Sequence, residues 1–211
     1  MMGKGSKARA RGIAGLISAA CVGGMALATD APSLPEHLGG LLNDYTPASV
    51  SGGPYEMRGK WTMEVHARSN TADFSAAMNM ETSDWGISKG TVDPNDPTTR
   101  GAHTHHITVT GATISHDVSG CPTFNPPTSG GFVIQGTVSV TGNGGVAPFE
   151  KPPNPPSSAT ICVLGGAQVA YSNITLTFTG PATGHFGTHG IHGVVSCFWT
   201  WDLIVGNCGA P

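Results

Sequence analysis

Trp61-Thr62-Met63-Glu64-Val65-His66 and Phe74-Ser75-Ala76-Ala77-Met78-Asn79-Met80-Glu81 are the stretches that decide the fold. In the first, Trp61, Met63 and Val65 alternate with Thr62, Glu64 and His66. In the second, Phe74, Ala76, Met78 and Met80 alternate with Ser75, Ala77, Asn79 and Glu81. Successive side chains of a strand point to opposite faces, so an apolar period of two marks a strand with one buried face. The pattern returns at Ile107 and Val109, at Phe132, Ile134 and Val138, and at Ile174, Leu176 and Phe178. Breakers separate these runs: Asp93-Pro94-Asn95-Asp96-Pro97, Asn125-Pro126-Pro127, Gly142-Asn143-Gly144-Gly145 and Gly180-Pro181. Pro148 to Ser158 reads as a Pro-rich surface loop. No long helical period follows residue 45. The expectation is an all-β domain of about seven or eight antiparallel strands, closed into a single barrel or stacked as a sandwich. The Met-rich second strand favours the barrel, because methionine suits an adaptable apolar interior.

Upstream, Ser33-Leu34-Pro35-Glu36 has the form of a capping box with Pro just inside, which predicts a short N-terminal helix to about Asn43. Gly39-Gly40 weakens that helix. Thr46 to Pro54 reads as a linker. The expected organisation is a leader at 1–28, an N-terminal segment and linker at 29–54, and the all-β domain at 55–211. Gly59-Lys60-Trp61, at the head of the first strand, resembles the Gly-x-Trp that opens the lipocalin barrel. The resemblance implies a calycin-like architecture and covers three residues. Lipocalins also place a basic side chain over that Trp from near the last strand, whereas here no Lys or Arg follows Lys151.

Residues 1–28 have the three-part layout of a secretory signal. Lys4, Lys7, Arg9 and Arg11 precede an uncharged stretch from Ile13 to Leu27, which ends in the small-x-small site Ala26-Leu27-Ala28. At about 15 residues the stretch is shorter than the roughly 20 that span a bilayer. A retained anchor and lipidation at Cys21 are the alternatives, the latter opposed by Ser18 where Leu is usual. Cleavage would deliver a secreted, periplasmic or envelope-associated protein with no transmembrane segment in the mature chain.

The chain has 10 Lys and Arg against 13 Asp and Glu; four basic residues and no acid lie in 1–28, leaving six basic and 13 acidic, net −7 with His neutral. Such a surface argues against nucleic acid or anionic lipid as the main partner, because phosphate recognition needs Lys and Arg. Cleavage also removes Cys21 and leaves Cys121, Cys162, Cys197 and Cys208. An even number in an exported domain predicts two disulfides, with three connectivities open. Val194 to Val205 reads as one extended strand, which would hold Cys197 and Cys208 too far apart to bridge unless the chain turns near Asp202. A Cys-rich zinc site is the weaker reading, since there is no Cys-x-x-Cys.

All nine histidines lie beyond residue 28. His37 and His66 stand alone. His103, His105, His106 and His116 form one cluster, and His185, His189 and His192 another. Imidazole is a common ligand of zinc and copper, and two His at i and i+2 on a strand share a face. His103 and His105 do so together with Ile107 and Val109. The Gly-rich run Gly184-His185-Phe186-Gly187-Thr188-His189-Gly190-Ile191-His192-Gly193 is the source of further ligands, as a loop or bulged strand. The candidate metal ligands are therefore His103, His105, His185, His189 and His192, with zinc or copper as the ion. Cupins follow such a pair with a Glu, absent here between His106 and Asp117. Copper-zinc superoxide dismutases have an apolar residue where Thr104 stands and a glycine pattern this chain lacks.

No Ser or Cys nucleophile signature is present. His116 and Asp117 are adjacent on a strand and would point apart. Thr rows at 108–110, 137–141 and 175–179 fit ordinary soluble strands better than a surface for ice or polysaccharide. Asn173-Ile174-Thr175 is a glycosylation sequon of consequence only in a eukaryote. The leading expectation is an exported, non-enzymatic binding or structural protein of undetermined ligand. The second is a histidine-ligated metal protein or metalloenzyme.

Overall fold

The computed structural model describes residues 34–50, 53–82, 102–122, 131–142, 156–165, 172–200 and 203–205, the side chains of 102, 198–200 and 203–205 excepted. The leader expected at 1–28, the loops expected at 93–97 and 125–127 and most of the expected Pro-rich loop lie outside the described residues. One compact unit runs from Ser33 to Pro211.

The strands are β1 (His37–Tyr45), β2 (Tyr55–His66), β3 (Thr71–Thr82), β4 (Ala102–Ser115), β5 (Gly131–Gly142), β6 (Ser158–Leu164), β7 (Asn173–Thr179), β8 (Ile191–Thr200) and β9 (Leu203–Val205). A 3-10 turn (Gly180–Ala182) and a single helical turn, α1 (Thr183–Phe186), link β7 to β8. Each strand pairs antiparallel with the next, and β1 also pairs with β8. That last pairing closes β1 to β8 into an eight-stranded barrel, which removes the open edges a sheet would otherwise expose. The fold is the all-β barrel of the sequence expectation, not the sandwich.

The apolar period built the interior as read: Trp61, Met63, Phe74, Ala76, Met78, Met80, Ile107, Val109, Phe132, Ile134, Val138, Ile174, Leu176 and Phe178 are all buried in one core. A second, smaller cluster of Cys121, Cys162, Val133 and Leu164 lies apart from that core. Val133 and Cys162 are register partners on β5 and β6, one residue out of phase with the core positions Phe132 and Ile134, so they occupy the outer face of the wall. There the Cys121–Cys162 disulfide ties the segment after β4 to β6. Closing a loop with a sequence separation of 41 removes unfolded-state entropy equivalent to about 4 kcal/mol in the chain-entropy account.

Three expectations are corrected. The segment expected to be a helix is the strand β1, and it belongs to the barrel wall, so the β domain begins before residue 55. Leu38, Gly40 and Leu42 also obey a period of two, and the pairing partners on both sides outweigh a weak local capping signal interrupted by two glycines. Gly40 is required at the closing seam. A Cβ there would lie 1.9 Å from the Val194 carbonyl oxygen and 2.9 Å from Trp61 Nε1. Its absence lets the Trp61 indole reach over β1 and donate to that same carbonyl at 3.3 Å. Next, Val194 to Val205 is not one strand. β8 ends at Thr200 and pairs back with β9, Thr200 facing Leu203, so the chain direction reverses between these two residues and the distance objection to a Cys197–Cys208 bridge falls away. Cys197 is disulfide-bonded, to a partner outside the described residues. Lastly, the Gly-rich run is a loop only at 187–190: before that it belongs to α1, and after it to the start of β8.

Candidate metal centre

β4 enters the barrel wall with His103 and His105 on the interior face, in line with Ile107 and Val109. His105 is buried and His103 partly so. The opposing side chain comes from α1. Phe186 is fully buried and stacks on Phe178, with ring centroids 4.7 Å apart and planes inclined by 28°. This plug anchors the turn, which Ala182 also fastens by donating its backbone N–H to Ser157 Oγ at 3.0 Å. Gly187, at φ 86°, then turns the chain away in a conformation that suits glycine. With Phe186 pointing into the core, His185 beside it faces β4.

The three imidazoles converge. His185 Nε2 lies 3.0 Å from His103 Nε2 and 3.0 Å from His105 Nε2, and one ligand atom from each residue falls within 4.8 Å of the others. Tyr55, at the head of β2, places its ring edge-on to His103 at 5.1 Å and tilted against His185 at 5.6 Å. Phe186 meets His105 edge-on at 5.3 Å. The centre is thus three nitrogens inside an aromatic collar.

Burial and mutual proximity make protonation costly here. Burial, then the neighbouring His185 and His103, pushes His105 down to about 3, against an opposing backbone hydrogen bond at Thr141. Burial, then His103, pushes His185 down to about 4. Burial raises the Tyr55 phenol above its ordinary value. At neutral pH His105 and His185 are therefore neutral, the form in which imidazole binds metal.

His103, His105 and His185 of the five candidate ligands come together; His189 and His192 stay outside the group. His192 is held by Asp44, whose Oδ2 accepts from the His192 backbone N–H at 2.8 Å and lies 2.6 Å from its Nδ1. The His189 ring stands 6.4 Å from that of His192. His106 and His116 are exposed, and His66 pairs with Asp73 at 3.1 Å. Sequence reasoning missed Tyr55 and Phe186. Tyr55 shares the parity of Met57 and Trp61, so extending the first strand's alternation backwards would have placed it inside. Phe186 carried no comparable signal.

Fold and site together define a closed eight-stranded β-barrel with a three-histidine cluster. Comparison with family models, curated proteins and solved structures gives no match for this chain.

Proposed function

We propose that this protein is an exported metal-binding barrel, with one transition-metal ion held by His103, His105 and His185. The observation that carries the reading is the meeting of three imidazole nitrogens at one point from two elements about 80 residues apart in sequence. At metal–nitrogen bonds of about 2.0–2.1 Å, tetrahedral ligand atoms stand roughly 3.3–3.4 Å apart. The two 3.0 Å separations need open by only a few tenths of an ångström, and the third pair, within 4.8 Å, has to come to the same spacing. His185 Nε2 has one lone pair or one proton, so as a hydrogen-bonding pair with both neighbours it is poorly served, whereas an ion takes all three lone pairs at once. Zinc and copper both suit neutral imidazoles. Three protein ligands leave a further coordination position for a fourth donor.

The leading sequence expectation is a non-enzymatic binding or structural protein of undetermined ligand; its variant with an apolar ligand inside the barrel is opposed by Trp61, Phe132, Met57, Met63, Ile134 and Ile161, which are buried in the interior. Export is supported by the leader-like sequence and by the Cys121–Cys162 disulfide, which suits an oxidising compartment.

The test is elemental analysis of untagged protein after equilibration with zinc or copper and removal of free ion. One equivalent in the wild type, lost in His185→Ala with the far-ultraviolet spectrum preserved, is the expected result. Less than about a tenth of an equivalent of either metal in the wild type would overturn the proposal.

A further inference from the structure

The sheet beside the three histidines carries three methionines of the barrel core, Met57, Met78 and Met80. Across β3 and β4, Met80 is the register partner of His103 and Met78 that of His105. Across β2 and β3, Met57 is the partner of Met80. All three methionines are fully buried, as expected of the interior face that His105 also occupies. Directly opposed residues of an antiparallel pair have Cβ atoms about 4.5–5.5 Å apart, side by side on one face. A methionine opposite a metal-binding histidine is therefore its nearest interior neighbour, with three rotatable bonds to bring sulfur toward the same point.

Thioether sulfur is a soft donor. It contributes little to zinc, whose protein ligands are thiolate, imidazole and carboxylate. It favours Cu(I), and Met beside His is a ligand set that copper accepts. Of the three, Met80 is best placed. It is the register partner of His103, the less buried histidine of the β4 pair, while Met78 lies against the buried His105 and Met57 is a strand further away. Tyr55 and Phe186 shield the same centre from water, as a soft, weakly hydrated ion prefers.

The geometry points to a copper centre, His103, His105 and His185 supplying three nitrogens and Met80 a thioether as the fourth ligand, selective for Cu(I) over Zn(II). This inference rests on the metal-binding reading above and adds to it the identity of the ion and of the fourth donor.

The experiment titrates the full chain separately with Cu(I), under reductant and against a chromophoric Cu(I) chelator, and with Zn(II), in the wild type, Met80→Leu, Met78→Leu and His185→Ala. Met-to-Leu exchanges conserve volume and are tolerated in cores. Met80→Leu is expected to weaken Cu(I) binding by about 10-fold or more while leaving Zn(II) within about threefold. Met78→Leu is expected to leave both within about threefold. X-ray absorption of the Cu(I) form should show a sulfur neighbour that Met80→Leu removes. Binding of Cu(I) with nitrogen neighbours alone, unchanged in Met80→Leu, overturns the inference and leaves the histidine site standing. A larger copper defect in Met78→Leu than in Met80→Leu also overturns the assignment to Met80. Absence of both metals from the wild type removes the histidine site and this inference together.

Discussion

Lowering the pH from 7 to 5 in the metal-free protein should cost it stability through two residues. His105 and His185 have folded-state values of about 3 and about 4 against an ordinary 6.5. Between those limits the unfolded chain binds protons that the folded chain refuses, so stability is full above pH 6.5 and declines as pH falls toward the folded values. From pH 7 to 5, an unfolded histidine of pKa 6.5 gains about 1.9 kcal/mol from protonation, while the folded His105 and His185 gain less than about 0.1 kcal/mol each. The pair thus contributes a loss approaching 4 kcal/mol, and relaxation around the partly exposed His185 brings the expected range to about 2–4 kcal/mol. Asp73 and Asp117, whose carboxyls are held below their usual value by hydrogen bonds from Gly111 and Ser119 respectively, keep their charge throughout this window and do not contribute. The measurement is urea unfolding at pH 7, 6 and 5 with a chelator present, on the wild type and on His105→Gln/His185→Gln. The double variant should lack most of the pH slope. A difference in slope between the two proteins amounting to less than about 0.5 kcal/mol over the two pH units would refute the argument that these imidazoles are buried as neutral groups.

Two further perturbations test how the barrel holds the site. Gly40→Ala forces a methyl group against the Val194 carbonyl and the Trp61 indole, and should destabilise the protein by about 1–3 kcal/mol or more as the seam between β1 and β8 shifts; an unchanged thermal midpoint would show that the seam does not close there. Phe186→Ala removes the fully buried ring that anchors α1 against Phe178. It should cost about 3–5 kcal/mol and weaken metal binding beyond the loss of stability, since His185 is then no longer held toward β4; metal affinity equal to wild type under folding conditions would contradict that positioning role.

The secondary structure was largely legible because it is local. A period of two at Trp61-Met63-Val65 or Phe74-Ala76-Met78-Met80 needs only that one face be buried, and any barrel or sandwich satisfies it. The same rule put His103 and His105 on one face with Ile107 and Val109, so two of the three converging ligands were legible from spacing alone. Reading failed where a local signal and a distant partner disagreed. The capping pattern at Ser33 to Glu36 spoke for a helix, but Leu38, Gly40 and Leu42 gain two flanking strands by extending instead. Likewise the turn between Thr200 and Leu203 carries no Gly or Pro to announce it, and the pairing of β9 with β8 supplies the reason for it.

What the amino-acid sequence determined by itself is the alternation that makes strands, the acidic balance after residue 28, and the histidine pair on β4. Tertiary structure alone decided that the sheet closes through β1 and β8 and that His185, rather than His189 or His192, joins the pair. The physical reason is that closure and convergence are long-range. His185 meets His103 because Phe186 sinks into the barrel beside Phe178 and turns its neighbour toward β4. His192, seven residues on, is already engaged by Asp44 from a different strand. Spacing along a chain specifies faces; only packing specifies which faces meet.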